Sequence, residues 1–262
     1  MPLRFDLVDA FTAEPFGGNP AAIYVLTKWP ESAWLQRVAR EMNQSETAYL
    51  VRTSDGFELR WFTPLVEVDL CGHATLASAH VLWERSAASG PEIAFATRSG
   101  VLTARRDGRQ IELDFPLLRE EPMKEPDGLS EALGAKPIYI GQSLHDLIVE
   151  LANDAEIRRL APDMTKLARV ATRGVIVTAR SGDPAFDFIS RFFAPAAGIN
   201  EDPATGSAHC CLADFWQKRL QKTAFRAYQA SPRGGVISVS IAGDRAILGG
   251  QAVTVARGEL LG

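Results

Sequence analysis

The chain has 262 residues, of which 46% are hydrophobic and 23% charged, and a formal charge of -4 at neutral pH. That apolar content fills one large core or two smaller ones and excludes a compositionally disordered chain. The slight acidity offers no basic field for a phosphate backbone, so no nucleic-acid partner is expected.

Residues 1–26 are interrupted by Asp6, Asp9 and Glu14, which rules out the continuous apolar stretch of a signal peptide. No later segment reaches the roughly 20 apolar residues of a membrane-spanning helix. A cytoplasmic protein without a membrane partner is expected. LRFDLVDAF and AAIYVL, on either side of the turn-rich EPFGGNP, read as two strands. Leu35, Val38, Ala39 and Met42 recur at helical spacing after Pro30 and predict an amphipathic helix over 31–42. ETAYLVR and FELRWF form a hairpin across Ser54-Asp55-Gly56, and GHATLASAHVLWER reads as a helix rich in small residues. Three short strands follow in EIAFATRSGVLTARRDGRQIELDF. The stretch PLLREEPMKEPDG, at 116–128, combines prolines and charges without periodicity and reads as a linker.

Beyond it come strands near 137–142 and 146–152, weak helices through 154–169, strands at 174–179 and 185–193, a helix over about 206–219, and three closing strands. This order repeats that of the first half. RWFTP at 60–64 matches RFFAP at 191–195, and Glu67-x4-Gly72 matches Glu201-x4-Gly206. Each glycine opens a helix that carries Ala74 or Ala208 two places on and a tryptophan, Trp83 or Trp216, about three turns in. A repeat of this length predicts an α+β protein of two similar domains, 1–116 and 129–262, joined by 117–128, with the last strand able to pack on the first domain. The matched helix starts are expected to face one shared cleft.

A helix start exposes unpaired backbone N–H groups and the positive end of the helix dipole, so the segments at Gly72 and at Thr205-Gly206-Ser207 are candidate anion sites; capping and turn roles explain the same residues. Glu46, at the head of an apolar strand in MNQSETAYL, is a candidate general base if its surroundings are partly desolvated, and otherwise a capping or surface glutamate. Cys71, Cys210 and Cys211 show no disulfide or zinc spacing, and His73, His80, His145 and His209 lack a paired carboxylate at ligand spacing, so no metal is expected.

DAFTAEPFGGNPAA, MNQSETAYL, FTPLVEVDLCGHATLASAH and APAAGINEDPATGSAH, in this order over nearly the whole chain, resemble the PhzF-like family of phenazine biosynthesis. The resemblance implies the diaminopimelate epimerase fold: two similar domains, each a mainly antiparallel sheet or barrel wrapped around a central helix. It implies an isomerase that moves a proton between carbons of a small carboxylate-bearing substrate without a cofactor, and a homodimer. Glu46 takes the place of the family's general acid/base, while Gly72, His73, Asp202, Gly206 and Ser207 take those of substrate-binding residues. The related epimerases use two cysteines, one ahead of each central helix. Here Cys71 precedes Gly72 but Thr205 precedes Gly206, which disfavours the alternative of an amino-acid epimerase or racemase. A non-catalytic ligand-binding member is the third reading, and retention of Glu46 with His73, Asp202 and Ser207 argues against it.

Overall fold

The computed structural model describes residues 3–261. Contacts between Cα atoms divide the chain into two compact units, 1–115 with 249–262, and 116–248.

The first unit contains β1 (Leu3–Ala10), β2 (Asn19–Leu26), α1 (Ser32–Met42), β3 (Glu46–Arg52), β4 (Phe57–Phe62), β5 (Glu67–Val68), α2 (Gly72–Glu84), β6 (Glu92–Thr97), β7 (Gly100–Asp107) and β8 (Gln110–Pro116). The chain's closing strand, Ala252–Leu260, pairs antiparallel with β1. From β1 the pairing runs antiparallel to β2, parallel to β3, antiparallel to β4, parallel to β6 and antiparallel to β7. The two parallel steps are crossovers that need a helix, and α1 and α2 supply them. Nine successive residues of α2 from His73 to Val81 are buried except His80, so this helix is enclosed on nearly every side, as its small residues predict. By contrast α1 buries one stripe, Leu35, Val38 and Ala39, against Tyr24, Tyr49 and Phe62.

The second unit contains β9 (Glu121–Pro122), α3 (Leu129–Leu133), β10 (Tyr139–Gln142), β11 (Asp146–Glu150), α4 (Asp154–Arg159), α5 (Met164–Leu167), β12 (Gly174–Arg180), β13 (Phe188–Ala194), β14 (Ile199–Asp202), α6 (Gly206–Leu220), β15 (Ala224–Gln229), β16 (Gly235–Ala242) and β17 (Arg245–Gly250). Its pairing from β10 is antiparallel to β11, parallel to β12, antiparallel to β13, parallel to β15 and antiparallel to β16. This is the order and polarity of the first unit. The buried helix α6 stands where α2 stands, and Phe188 stacks on its Trp216 with ring centroids 5.5 Å apart.

The repeat extends to side chains. In β4, Arg60 donates to both oxygens of Glu67 at 2.7 and 2.8 Å; in β13, Arg191 donates to both oxygens of Glu201 at the same two distances. These forks fasten the short strands β5 and β14, which lead directly into the N-termini of α2 and α6. Residues 116–128, read from sequence as a linker, carry β9, which pairs with β10, and Glu120, which is buried against Lys218 of α6 and accepts from Tyr139 Oη at 2.5 Å. Among the described residues no helix is long and apolar enough to cross a membrane.

Candidate active site

In the first unit, β3 and α2 bring Glu46, Cys71 and His73 together. Glu46 is the first residue of β3 and pairs with Ala21 of β2. Cys71 is the N-cap of α2 in extended conformation, and His73 lies in its first turn. His73 Nε2 is 3.4 Å from Glu46 Oε2, and the two side chains are 5% and 13% exposed, so the carboxylate has a narrow outlet to solvent while the imidazole has almost none. The other ring nitrogen, Nδ1, is 3.5 Å from Cys71 Sγ and 3.2 Å from Nδ2 of Asn19, the first residue of β2. Ser45 Oγ donates to Asn19 Oδ1 at 3.3 Å.

Burial pulls the His73 pKa down to about 3, against a smaller opposing influence of the Pro20 backbone, so the ring is neutral at physiological pH. The dipole of α2 acts in the same direction. A neutral imidazole beside a carboxylate can donate one hydrogen bond without neutralising its neighbour.

The turn that delivers Asn19 depends on Gly18, which has φ +58°. A Cβ there would lie 2.0 Å from the Ala10 carbonyl oxygen, so no other residue fits without moving the backbone of β1.

Glu46, Cys71 and His73 each offer one potential metal-binding atom, all within 4.8 Å of one another. Cys71 approaches Nδ1 and Glu46 approaches Nε2, however, and the lone-pair directions of these two nitrogens diverge across the ring. The arrangement is therefore a chain of polar groups rather than three donors converging on one point.

In the second unit, Asp202 ends β14, Thr205 is the N-cap of α6, and Gly206 and Ser207 open that helix. Thr205 Oγ1 donates to Asp202 Oδ2 at 2.5 Å, and Thr205 N donates to Gln229 Oε1 at 2.8 Å. Gln229 Nε2 donates to the Asp202 carbonyl at 2.6 Å. Ser207 Oγ accepts from Arg173 at 3.3 Å, and Arg173 also pairs with buried Asp146. The Thr205 and Ser207 hydroxyls are thus committed to neighbouring side chains, and neither side chain caps α6.

The strand registers allow the two units to be compared position by position. Tyr49 pairs with Arg60, and Val177 pairs with Arg191. With the two arginines equivalent, Glu46 of β3 corresponds to Gly174 of β12. A Cβ at Gly174 would lie 2.4 Å from the Phe192 ring, so the second unit has no room for a carboxylate there. Cys71 likewise corresponds to Thr205. The repeat carries one carboxylate and one thiol at these positions.

Sequence reasoning named Glu46, Gly72 and His73, which this structure gathers in the first unit, and Asp202, Gly206 and Ser207, which it gathers in the second. It missed Asn19, Ser45 and Gln229. The GGN turn ahead of an apolar strand marks Asn19 only as a turn residue, and Gln229 lies 27 residues beyond Asp202 with no local signal. Cys210 and Cys211 are buried in α6, where burial pushes both thiols up to about 12 and leaves them unreactive. His80 sits farther along α2, with Nε2 3.1 Å from Thr254 Oγ1 in the closing strand, a structural contact.

A family model described as phenazine biosynthesis-like protein matches residues 8–258. The chain belongs to this family. An uncharacterized isomerase of Halalkalibacterium halodurans is 52% identical over 97% of each chain. The crystal structure of a PhzF family phenazine biosynthesis protein from Enterococcus faecalis superposes with a TM-score of 0.95 at 42% identity, covering 99% of each chain. A hydroxyproline epimerase from Agrobacterium vitis, at 11% identity, covers 99% of this chain and 92% of its own with a TM-score of 0.65, and shares the fold alone. The α+β plan of two repeats, each wrapped around a buried helix, is therefore common to PhzF-like proteins and to epimerases.

Proposed function

We propose that the protein is a cofactor-independent isomerase that moves a proton between carbons of a small carboxylate-bearing substrate, with Glu46 as the general acid/base. The observation that carries this reading is the seat of Glu46: a mostly enclosed carboxylate 3.4 Å from a neutral imidazole, with Gly174 at the equivalent position of the repeat. A single carboxylate can take a proton from one carbon and return it to another on the same face, so a proton shift needs neither a second base nor a redox group. Inversion at one carbon by the two-base route needs groups on opposite faces. Thr205 in place of a second thiol, and Gly174 in place of a second carboxylate, argue against that route. Kinship with an uncharacterized isomerase supports the same class of reaction.

Within this reading, Gly72 and His73 hold the substrate beside Glu46, and Asp202, Gly206 and Ser207 supply further polar contacts. Positioning must contribute much of the rate, because a general base alone gives about 10²–10⁴-fold. A dihydro-hydroxyanthranilate, the substrate class that the family resemblance implies, is the first compound to try. Incubated in D2O with the protein, it is expected to acquire deuterium at the carbon that gains a proton, to the extent that the proton on Glu46 exchanges with solvent before its return, while Glu46→Gln loses at least about 10²-fold in turnover. Loss of optical activity at a single stereocentre, with deuterium at that same carbon, would replace the isomerase by an epimerase. A homodimer in the cytoplasm belongs to the same proposal, and a mass of 28.5 kDa by light scattering at micromolar concentration would remove the dimer.

A further inference from the structure

Toward the far end of α2 from His73, about 15 Å along the helix axis, the first unit holds a cavity of about 450 Å³. The last turns of α2, the β7–β8 hairpin and the closing strand form most of its walls, and it shares no residue with the candidate active site. Two cations reach it. Side chains alternate along β7, so Arg106 shares the face of buried Leu102 and Ala104, while Arg105 and Asp107 turn away and Arg105 pairs with Glu92 at 2.7 Å. Arg109 follows across the hairpin turn at Gly108 and is exposed. The Arg106 guanidinium lies over the Trp83 ring, 5.1 Å from its centroid. Among the described residues, neither Arg106 nor Arg109 forms an ion pair.

The negative charge nearby is already matched. Glu84, the acidic residue in the walls, accepts from Thr254 Oγ1 at 2.7 Å and from Arg257 Nη2 at 2.5 Å. The end of α2 adds no free negative pole, because the carbonyls of Val81, Leu82 and Trp83 accept from backbone N–H groups of residues 85–88. Two guanidinium groups are therefore left in excess. Beside them the walls are apolar, formed by Ile111, Ala252 and Val253. We propose that this cavity is a second ligand site, which takes a small organic molecule whose carboxylate is held by Arg106 and Arg109 and whose apolar body lies against Ile111 and Val253. A guanidinium offers a carboxylate two parallel N–H donors, and an arginine without a carboxylate partner in the fold is free to make that pair. A lone inorganic anion would fill little of the cavity and leave its apolar wall in water. The site does not depend on the role proposed for Glu46.

Titration of ¹⁵N-labelled protein with sodium benzoate at constant ionic strength, followed by ¹H–¹⁵N correlation spectra, tests this directly. The indole N–H of Trp83, which donates to the Gly90 carbonyl at 3.0 Å, is the local probe and is assigned through Trp83→Phe. It is expected to shift saturably, together with the backbone signals of residues 106–109. Arg109→Gln replaces an exposed side chain that has no ion pair, so folding is retained, and benzoate affinity is expected to fall about tenfold. Arg106→Gln is expected to do the same. Inorganic phosphate, titrated in the same way, is expected to bind at least about tenfold more weakly than benzoate, because it buries no apolar surface. Phosphate binding as tight as that of benzoate would overturn the apolar half of the proposal. No saturable shift at Trp83, shifts confined to the signals of Glu46, Cys71 and His73, or an affinity unchanged in both arginine variants would overturn the site itself.

Discussion

Glu46, Cys71 and Asp202 are three ionisable side chains near the helix starts, and their surroundings differ in ways that the proposed reaction turns into different expectations. Glu46 is the carboxylate next to the neutral His73 ring, so, under the role proposed for it, Glu46→Gln removes the proton carrier while keeping its shape. Cys71 lies against the other edge of that ring, its Sγ 3.5 Å from Nδ1, a weak polar contact, so Cys71→Ala is expected to reduce turnover by less than about tenfold. Asp202 accepts from Thr205 and anchors the start of α6, and Asp202→Asn is expected to fall between the two. Steady-state kinetics of the three variants on one substrate tests the ranking, and loss of turnover in Cys71→Ala with retention in Glu46→Gln would make the thiol the base. The residues whose motifs could be read from the chain lie at the helix starts and at the head of β3, where local sequence dictates backbone shape. Asn19 and Gln229 escaped because their partners are distant in sequence: His73 is 54 residues from Asn19, and Thr205 is 24 residues from Gln229. Only folding brings these pairs together.

At the level of elements, the two arginine–glutamate forks show how one motif acquires different weights. Arg191 is the more buried, and it donates further to the carbonyls of Ile157 and Leu160 at 3.2 and 2.5 Å. Replacing it with alanine leaves Glu201 and two carbonyl groups without this partner, and a cost of about 3–5 kcal/mol is expected. Arg60 is 21% exposed, and its partner Glu67 also pairs with Arg98 at 2.8 Å, so Arg60→Ala is expected to cost about half as much. Urea unfolding of both variants checks the difference; equal losses would mean that the extra carbonyl contacts contribute nothing. Repeated motifs and long periodic segments made α1, α2, α6 and most strands readable from the chain. The parallel pairing of β2 with β3 and of β11 with β12 was not readable, because alternation reveals which face is buried but not which strand lies alongside. The helical reading over 154–169 resolves into α4 and α5 because Pro162 cannot continue a helix and Asp163 caps the next one, accepting from Thr165 N and Lys166 N. Two-residue strands such as β9 have no periodicity to detect.

For the whole molecule, burial of neutral histidine makes stability depend on mild acid. Of the four histidines, burial draws His73 down to about 3 and His209 to about 4, and lowers His80 more modestly. His209 is held in α6 with Nδ1 2.8 Å from the Thr205 carbonyl and its ring stacked on Phe188, so it has no route to water in the native state. The sign follows from proton uptake. An unfolded histidine protonates near its ordinary pKa of about 6.5, whereas these remain neutral in the fold, so the unfolded chain binds more protons below that point. The folded state therefore loses stability as pH falls from about 6.5, and His209 stops contributing near 4 and His73 near 3. Each fully neutral histidine contributes a slope of at most about 1.4 kcal/mol per pH unit. The native-state pKa values of Asp214 and Glu84 are lowered instead, so their stabilisation is lost below their ordinary values of 3.8 and 4.5, mostly outside the window between pH 6.5 and 5. Urea midpoints measured through that window should decline steadily. In His209→Asn, the slope is expected to be shallower than in the unsubstituted protein, by about 0.7 kcal/mol per pH unit at pH 6.5 rising toward about 1.4 near pH 5, even if the variant starts less stable at pH 7. Parallel slopes for the two proteins would mean that His209 protonates in the native state and that its enclosure beside Thr205 and Phe188 opens on the timescale of the titration.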